Sequence, residues 1–222
     1  MATYAFEANL GAQNWGLGPA WDVFVSTPGA ADTVFINQIS TVGTPCIVDS
    51  SQAASTVTIS RDNALNVQVG GALAVGGQLS LGNFSGVSQL NVSGSVTAAN
   101  LLIGQGSGGQ GLVTVNLGTL TIAGNIEVAR LAASTLHVTG LGTVSCNFMF
   151  VGNSTNAIDG RLVIGGTEFG AAALGGAVNA TGGITLETAG SKLIFNTIDN
   201  RVFGSKISDI GSVEVKGIAS VR

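Results

Sequence analysis

Residues 65–81 read LNVQVGGALAVGGQLSL, which is three short apolar runs separated by Gly-containing turns. The arrangement returns as LNVSGSVTAANLLI at 90–103, VTVNLGTLTIAGNIEV at 113–128 and LHVTGLGTVSCNFMF at 136–150. A fifth round opens at Leu162, so successive rounds begin 23 to 26 residues apart. Short strands at a fixed period indicate a solenoid, in which each coil buries its apolar face only by stacking on its neighbours.

Alternation within each run assigns side chains to the inside or the outside, because successive residues of a strand point in opposite directions. The first and third residues of a run are predicted to point inward and the middle residue outward. We therefore predict an all-β fold, a three-faced parallel β-helix of about five to six coils. The predicted inward residues of its third face are Leu79, Leu81, Leu101, Ile103, Ile126, Val128, Phe148 and Phe150.

The chain divides into three segments. Residues 1–33 are predicted to form an N-terminal cap or arm, because a solenoid exposes an apolar end that needs covering. Residues 34–164 are predicted to form the coils. Residues 165–222 lose the period and hold five of the eight basic residues; we expect an irregular terminal coil, a C-terminal cap or a partner-binding arm. The aromatic residues that suggest the cap are Tyr4, Phe6, Trp15, Trp21 and Phe24.

Charge is scarce in this chain. Asp, Glu, Lys and Arg make up 9% of the residues, whereas a typical soluble domain has about 25%. A surface with so little charge suggests that identical copies or a larger assembly cover much of it, although Ser, Thr, Asn and Gln could solvate it instead. The formal net charge of −4 argues against a nucleic-acid partner, which would require a basic footprint.

The outward columns of the predicted coils suggest where a partner binds. The second face presents a column of small side chains, over which another surface can approach closely. The third face is predicted to expose apolar side chains to solvent, which is unfavourable unless a partner covers them. The two Trp residues could also form a partner-binding patch, although we favour a role in the N-terminal cap. The candidate interface residues are Ala74, Thr97, Thr121, Ser145, Leu102, Met149, Trp15 and Trp21.

No pattern of residues indicates catalysis. His137 is the only histidine and is predicted to lie on the outside, where nothing in the repeat supplies a partner base or nucleophile. Cys46 and Cys146 are read as small buried hydrophobic residues rather than a disulfide framework. Glu127 and Asp159 are isolated carboxylates, whereas glycoside hydrolysis requires a facing pair. We therefore predict a protein that is not an enzyme.

The segment Gly104–Gly109 satisfies the G-x-G-x-x-G pattern of dinucleotide-binding loops. That fingerprint requires a helix to follow, whereas here another strand is predicted, so we interpret the segment as a turn. The Gly-rich loops also lack the Asp that calcium-binding nonapeptide repeats require. We predict neither a cofactor nor a metal site.

The opening of the chain resembles a known arrangement. Asn14-Trp15, then Trp21, then PGAADTV at 28–34 is similar to an N-W…P-G-x-x-D-x-V segment that leads into Gly-rich solenoid repeats in phage virion proteins. The same arrangement occurs in autotransporter-type surface passengers. The first 24 residues hold no Lys or Arg and no sustained apolar run, so we expect no ordinary secretory signal, which favours the phage resemblance. The resemblance implies a structural role and no catalytic residue.

These observations predict a bacteriophage capsid decoration or cement protein on the exterior of the virion. It is expected to be a homo-oligomer, with a trimer favoured, and to bridge major capsid proteins without contacting nucleic acid or membrane. One alternative is a tail fibre, tailspike or baseplate component, in which exposed aromatic residues would bind glycans. Another is a bacterial surface adhesin or a self-assembling extracellular filament, whose coils would stack end to end.

Overall fold

The computed structural model describes residues 1–6, 13–17, 21, 26–37, 45–199 and 203–217, with twenty strands and no helix in those ranges. The strands are β1 Thr3–Ala5, β2 Gln13–Asn14, β3 Thr33–Ile36, β4 Cys46–Val48, β5 Ser51–Ala54, β6 Thr56–Ile59, β7 Ala64–Val67, β8 Ala72–Leu81, β9 Gly86–Val92, β10 Ser95–Ile103, β11 Gly109–Asn116, β12 Thr119–Ile122, β13 Asn125–Val128, β14 Ser134–Thr139, β15 Thr143–Val151, β16 Gly160–Gly165, β17 Ala177–Leu186, β18 Lys192–Thr197, β19 Ile207–Asp209 and β20 Ser212–Gly217.

All of these strands pair in parallel, and they form two long sheets that wind into a β-solenoid of about eight turns. The nine-stranded sheet, which we call the first face, runs β2-β4-β7-β9-β11-β14-β16-β18-β20. The eleven-stranded sheet runs β1-β3-β6-β8-β10-β12-β15-β17-β19, with β5 and β13 beside it. The predicted solenoid is therefore confirmed. The predicted count of five to six coils is too low, because strands at both ends add turns that lack the regular period.

The eleven-stranded sheet supplies two faces of the solenoid. Its longest strands, such as β8 and β10, pass through both, and the pairing register shifts where they turn the corner. We call the part before the corner, which contains 72–75, 95–98, 119–122, 143–146 and 177–180, the second face. The third face follows the corner and contains 79–81, 101–103 and 126–128. An extra residue on one strand at such a corner is a β-bulge, which bends the sheet.

The inside of the solenoid is a set of aliphatic columns. Val67, Val92, Val115 and Val138 lie directly above one another on the first face, as predicted. Each of them is buried, and each contributes roughly 1.5–3 kcal/mol through burial. β-Branched side chains such as Val fit the pleated surface on which such columns stack. The second face has an equivalent column that passes through Leu73, Val96, Leu120, Val144 and Val178.

The inward residues of the third face were predicted wrongly in the fourth round. Met149 points inward, paired with Ile126 on one side and Ile184 on the other, and its side chain is fully buried. Phe148 lies at the corner and is 40% exposed. The cause is the length of the corner between the second and third faces. Two residues separate Cys146, the last inward residue of the second face, from Met149, the first inward residue of the third face. The apolar triplet at 148–150 is therefore out of phase by one residue.

A segment outside the repeat covers part of the first face. Residues 166–176, which we call the flap, leave the end of β16 and return to β17. The Asn196 side chain donates to the carbonyls of Thr167 and Gly170 at 2.8 and 3.0 Å, and Gly140 N donates to Leu174 O at 2.9 Å. The outward side chains of β16 and β18 in this region, Val163 and Ile194, are buried. The Gly- and Ala-rich composition of the flap lets it lie close to the sheet.

Candidate docking surface

The outer side of the second face carries the predicted row of small residues. Register places Thr97 beside Ala74 on one side and Thr121 on the other, and Thr121 beside Ser145. Asn179 continues the row on β17. All five side chains are at least partly exposed. The structure therefore brings together the four small residues that the sequence analysis singled out.

A second row runs beside the first, two residues earlier on each strand. Both rows follow strands that are about 4.8 Å apart, so the five strands span about 19 Å along the solenoid axis. None of the residues in the two rows carries a charge, and the largest side chains are Thr and Asn. We call this surface the small-residue face. Its members are Ala72, Ala74, Ser95, Thr97, Thr119, Thr121, Thr143, Ser145, Ala177 and Asn179.

Two of the other predicted interface residues are not on the surface. Met149 fills the core of the third face, as described above. Leu102 is in register with Ser80 and Glu127 at an outward position, but its side chain is only 4% exposed. Neither side chain is accessible to a partner. The expectation that the third face presents exposed Leu and Met side chains is therefore wrong.

The N-terminal tryptophans are also buried. Trp21 packs edge-on against Trp15, Phe6 and Tyr4, with ring centroids 5.0, 5.5 and 6.3 Å away. The Trp21 Nε1–H donates to Trp15 O at 2.8 Å. Phe24, the fifth aromatic residue of the segment, lies outside the described residues. The cluster packs beside β1 and β2, the first strands of the two sheets, so neither Trp side chain is available as a surface patch.

The PGAADTV stretch closes a tight turn before β3. The Asp32 carboxylate accepts from Gly29 N at 3.1 Å and from Ala2 N at 2.7 Å. These two backbone hydrogen bonds lower the pKa of Asp32 below its usual value, because they favour the charged form. Asp32 therefore ties the start of the chain to the first coils, which gives this residue a structural role.

The single histidine is held by the backbone. His137 is half-buried, and its Nε2 lies 2.7 Å from Gly165 O, where β16 ends and the flap begins. A carbonyl oxygen can only accept, so Nε2 carries the proton and Nδ1 is the acceptor nitrogen of the neutral ring. The residue lies on the outside of the first face, as predicted, but beneath the edge of the flap rather than in open solvent.

The other reactive side chains are engaged or buried. Burial raises the pKa of the Cys146 thiol to about 11 and that of the Cys46 thiol well above its usual value, whereas a nucleophilic cysteine requires a lowered pKa. The Asp159 carboxylate accepts from Thr188 Oγ1 at 2.7 Å. Glu127 pairs with Arg130 at 3.5 Å.

The Gly104–Gly109 loop connects β10 directly to β11, so it is the predicted turn and lacks the following helix of a dinucleotide site.

One concave site was missed by the sequence analysis. A groove of about 400 Å³ lies between the outer side of the first face and the flap. Strands β11, β14 and β16 supply its floor, and the flap supplies its far wall. The signals for it were the loss of period after residue 165 and an aromatic residue within a Gly-rich stretch. The lining residues are Leu112, Thr114, Thr135, His137, Arg161, Val163, Thr167, Glu168 and Phe169.

Ion pairs fix the flap to the floor of this groove. Glu168 pairs with Arg161 at 2.8 Å and with Lys192 at 3.6 Å, both of which project outward from the first face. Lys216 donates to Glu168 O at 3.1 Å and also pairs with Glu214 at 3.2 Å. Lys192 bonds Glu214 at 2.7 Å, and this contact raises the pKa of Lys192 and lowers that of Glu214. The charges of this region are therefore engaged with one another.

Within the described ranges, no three His, Cys, Asp or Glu side chains are grouped so that they could hold a metal ion. Over the same ranges, no helix has the length and apolarity needed to span a membrane. No protein-family model, no curated protein and no solved structure matches the chain.

Proposed function

We propose that this chain is a non-enzymatic structural protein of a bacteriophage virion, which decorates the outside of the capsid. It docks through the small-residue face onto the major capsid protein and bridges neighbouring shell subunits, as a trimer. The observation that supports this most is the flat, uncharged, exposed double row on the second face. Small side chains let two backbones approach closely and lose little rotamer freedom when they are buried.

The proposed role is mechanical, and the fold suits it. Parallel strands stack in continuous hydrogen-bonded ladders, and the aliphatic columns resist bending because they are densely packed. A body of this kind transmits load between the subunits that it bridges. With charged residues at 9% of the chain, the contacts would depend on shape and apolar burial rather than on ion pairs.

Particle composition tests the proposal. Particles of the phage that encodes this chain are purified, and the copy number of the chain per particle is measured by quantitative mass spectrometry. Hundreds of copies are expected, together with heads that break at a lower temperature when the gene is deleted. A few to a few dozen copies would instead assign the chain to the tail. Absence from particles would overturn the virion proposal.

A second candidate, a filament or adhesin subunit, is supported by the C-terminal end of the solenoid. Val213 and Val215 occupy inward positions of β20, in register with Leu193 and Phe195, yet they are 48% and 50% exposed. Copies that added head to tail at this end would continue both sheets as an open assembly that does not close. Electron microscopy of the purified chain distinguishes the two roles: filaments support this candidate, and discrete particles support the decoration protein.

A further inference from the structure

We propose that the groove between the first face and the flap is a glycan-binding site that takes one neutral pyranose unit. This proposal is independent of capsid docking, because the groove and the small-residue face lie on different sides of the solenoid. With the small-residue face docked on a capsid, the groove on the first face stays open to a ligand, as it also does in the isolated chain.

The aromatic wall of the groove is the first argument. Phe169 is 90% exposed, although the flap that carries it is fixed by the Glu168 ion pairs and by the Asn196 hydrogen bonds. Because Phe169 lines the groove together with apolar and polar floor residues, its exposed ring on this anchored segment supplies an aromatic wall for a ligand. The Lys216 ammonium lies over one face of the ring, 5.5 Å from its centroid, and the other electron-rich face attracts the C–H bonds on the apolar face of a sugar.

The strand hydroxyls on the floor are the second argument. Thr114 and Thr135 lie on neighbouring strands, two residues apart in register, and both line the groove. Neither hydroxyl has a hydrogen-bond partner among the residues that the structure describes. His137 adds an acceptor, since its Nε2 proton is directed to Gly165 O and its Nδ1 is left for a ligand. Convergent neutral donors and acceptors on an apolar floor are what a polyhydroxylated ligand requires.

The paired charges around the groove favour a neutral ligand over an anionic one. The guanidinium of Arg161 is already paired with Glu168 through Nε, and Lys192 is paired with both Glu168 and Glu214. An anionic ligand would have to compete with these carboxylates, whereas a neutral one leaves every ion pair in place. Hydroxyl groups can still accept from the Nη atoms of Arg161 and donate to Glu168, as neutral sugars do beside paired charges.

The size of the groove agrees with this choice. Ligand sites span roughly 300–1,000 Å³, and this groove of about 400 Å³ lies near the lower limit. Such a volume suits one ring, and the open side lets the rest of a glycan chain extend into solvent. Leu112 and Val163 line the apolar part of the site.

Saturation-transfer NMR tests the site with defined probes. The full chain is mixed in turn with methyl α-glucoside, methyl β-galactoside, N-acetylglucosamine, maltotetraose and chitotetraose, and the affinity for the best probe is then measured by titration. We expect at least one probe to receive saturation. Phe169→Ala should weaken its binding about three- to tenfold through loss of the aromatic contact. Thr135→Val should weaken it about two- to tenfold through loss of one hydrogen bond.

Two controls isolate the groove. Phe84→Ala removes an exposed aromatic ring elsewhere on the solenoid and should leave binding unchanged. A sulfated oligosaccharide should bind no better than the neutral probes. The proposal is overturned if none of the five neutral probes receives saturation, or if Phe169→Ala and Thr135→Val both bind the best probe as the wild type does. A preference for the sulfated probe would overturn the neutral class. Circular dichroism confirms that each variant is folded.

Discussion

The outer sides of the first and second faces differ sharply, although the same core supports both. The second face is bare, uncharged and lined by small residues such as Thr97 and Thr121. The first face carries the flap, a network of ion pairs centred on Glu168 and an exposed aromatic ring at Phe169. In a solenoid the inward positions are set by stacking, so the outward positions are free to differ from face to face. Function should therefore be sought in the outward rows.

The largest expected loss of stability comes from disrupting the buried core that supports both faces. Val115→Asp on the first face and Val96→Asp on the second each place an unpaired charge in a fully buried column. The cost of such a charge is about 3–5 kcal/mol, against a typical total stability of about 5–15 kcal/mol. Urea denaturation followed by circular dichroism should show that both variants lose most of their cooperative transition.

The matched control lies one residue away. Thr97→Asp puts the same carboxylate on the outside of β10, where water solvates it, and should change the free energy of unfolding by no more than about 0.5 kcal/mol. If Val96→Asp and Thr97→Asp were equally stable, the assignment of inside and outside on the second face would be wrong.

Stacking made most of this fold predictable from sequence. The columns through Val67 and Leu73 follow from alternation and a period of 23 to 26 residues, both of which reflect the pairing of equivalent strands. The prediction was wrong at 148–150, because corner length decides which residue of an apolar triplet turns inward. Sequence alone does not show that the corner after Cys146 takes two residues, as the corner after Ala98 also does.

The groove was not predicted, for a different reason. Its floor residues, Thr114, Thr135 and Arg161, are ordinary outward residues of three strands, and only their register brings them together. Its wall comes from the flap, an insertion outside the repeat that has no periodic signal. The row from Ala74 to Ser145 could be predicted because its four members sit at equivalent positions of successive coils, whereas the second row of the small-residue face was not predicted.

The second largest effect should come from releasing the flap. Glu168→Gln removes the charge that pairs with Arg161 and Lys192, and the loss of charged hydrogen bonds costs about 1–3 kcal/mol. Hydrogen exchange measured by mass spectrometry should therefore become roughly five- to a hundredfold faster in residues 166–176. Exchange in the second-face strands should not change.

An exposed ion pair elsewhere provides the control for the flap. Glu127→Gln breaks the 3.5 Å contact with Arg130, which is largely solvated, and should leave exchange in 166–176 as in the wild type. Equal protection of the flap in Glu168→Gln and wild type would show that the backbone hydrogen bonds hold it without the ion pairs.

A smaller loss of stability is expected at acid pH, and it comes from Glu214 on the first face. The hydrogen bonds from Lys192 and Lys216 lower the pKa of Glu214 in the folded chain, so this carboxylate stabilises the fold above its usual pKa of 4.5. That contribution is lost as the pH falls through the lowered value, because the unfolded chain then binds the proton more readily. Urea titrations between pH 7 and pH 3 should show a shallower loss of stability for Glu214→Gln than for the wild type.

At alkaline pH the titrating group is Lys192, and its contribution to stability is lost as the pH rises. Glu214 raises the pKa of Lys192, so the contribution of the ammonium is complete below its usual pKa of 10.5 and is lost as the pH rises through the raised value. Between these two pH limits the wild type should be more stable than Glu214→Gln by an amount that does not change with pH. Identical pH dependence in the two proteins would contradict a stabilising role for this pair.

The smallest effect on stability should accompany the largest effect on docking. Thr121→Arg places a long cation at the centre of the small-residue face, where the side chain reaches solvent and changes the free energy of unfolding by no more than about 0.5 kcal/mol. On a docked face the same cation must be desolvated without a partner, so affinity for purified phage heads should fall at least tenfold. Ala133→Arg adds the same charge in an exposed turn off this face and should dock normally. If Thr121→Arg binds heads as tightly as Ala133→Arg and protects them equally from heat, the second face is not the docking face, and the comparison between the two faces would then favour the groove side as the functional surface.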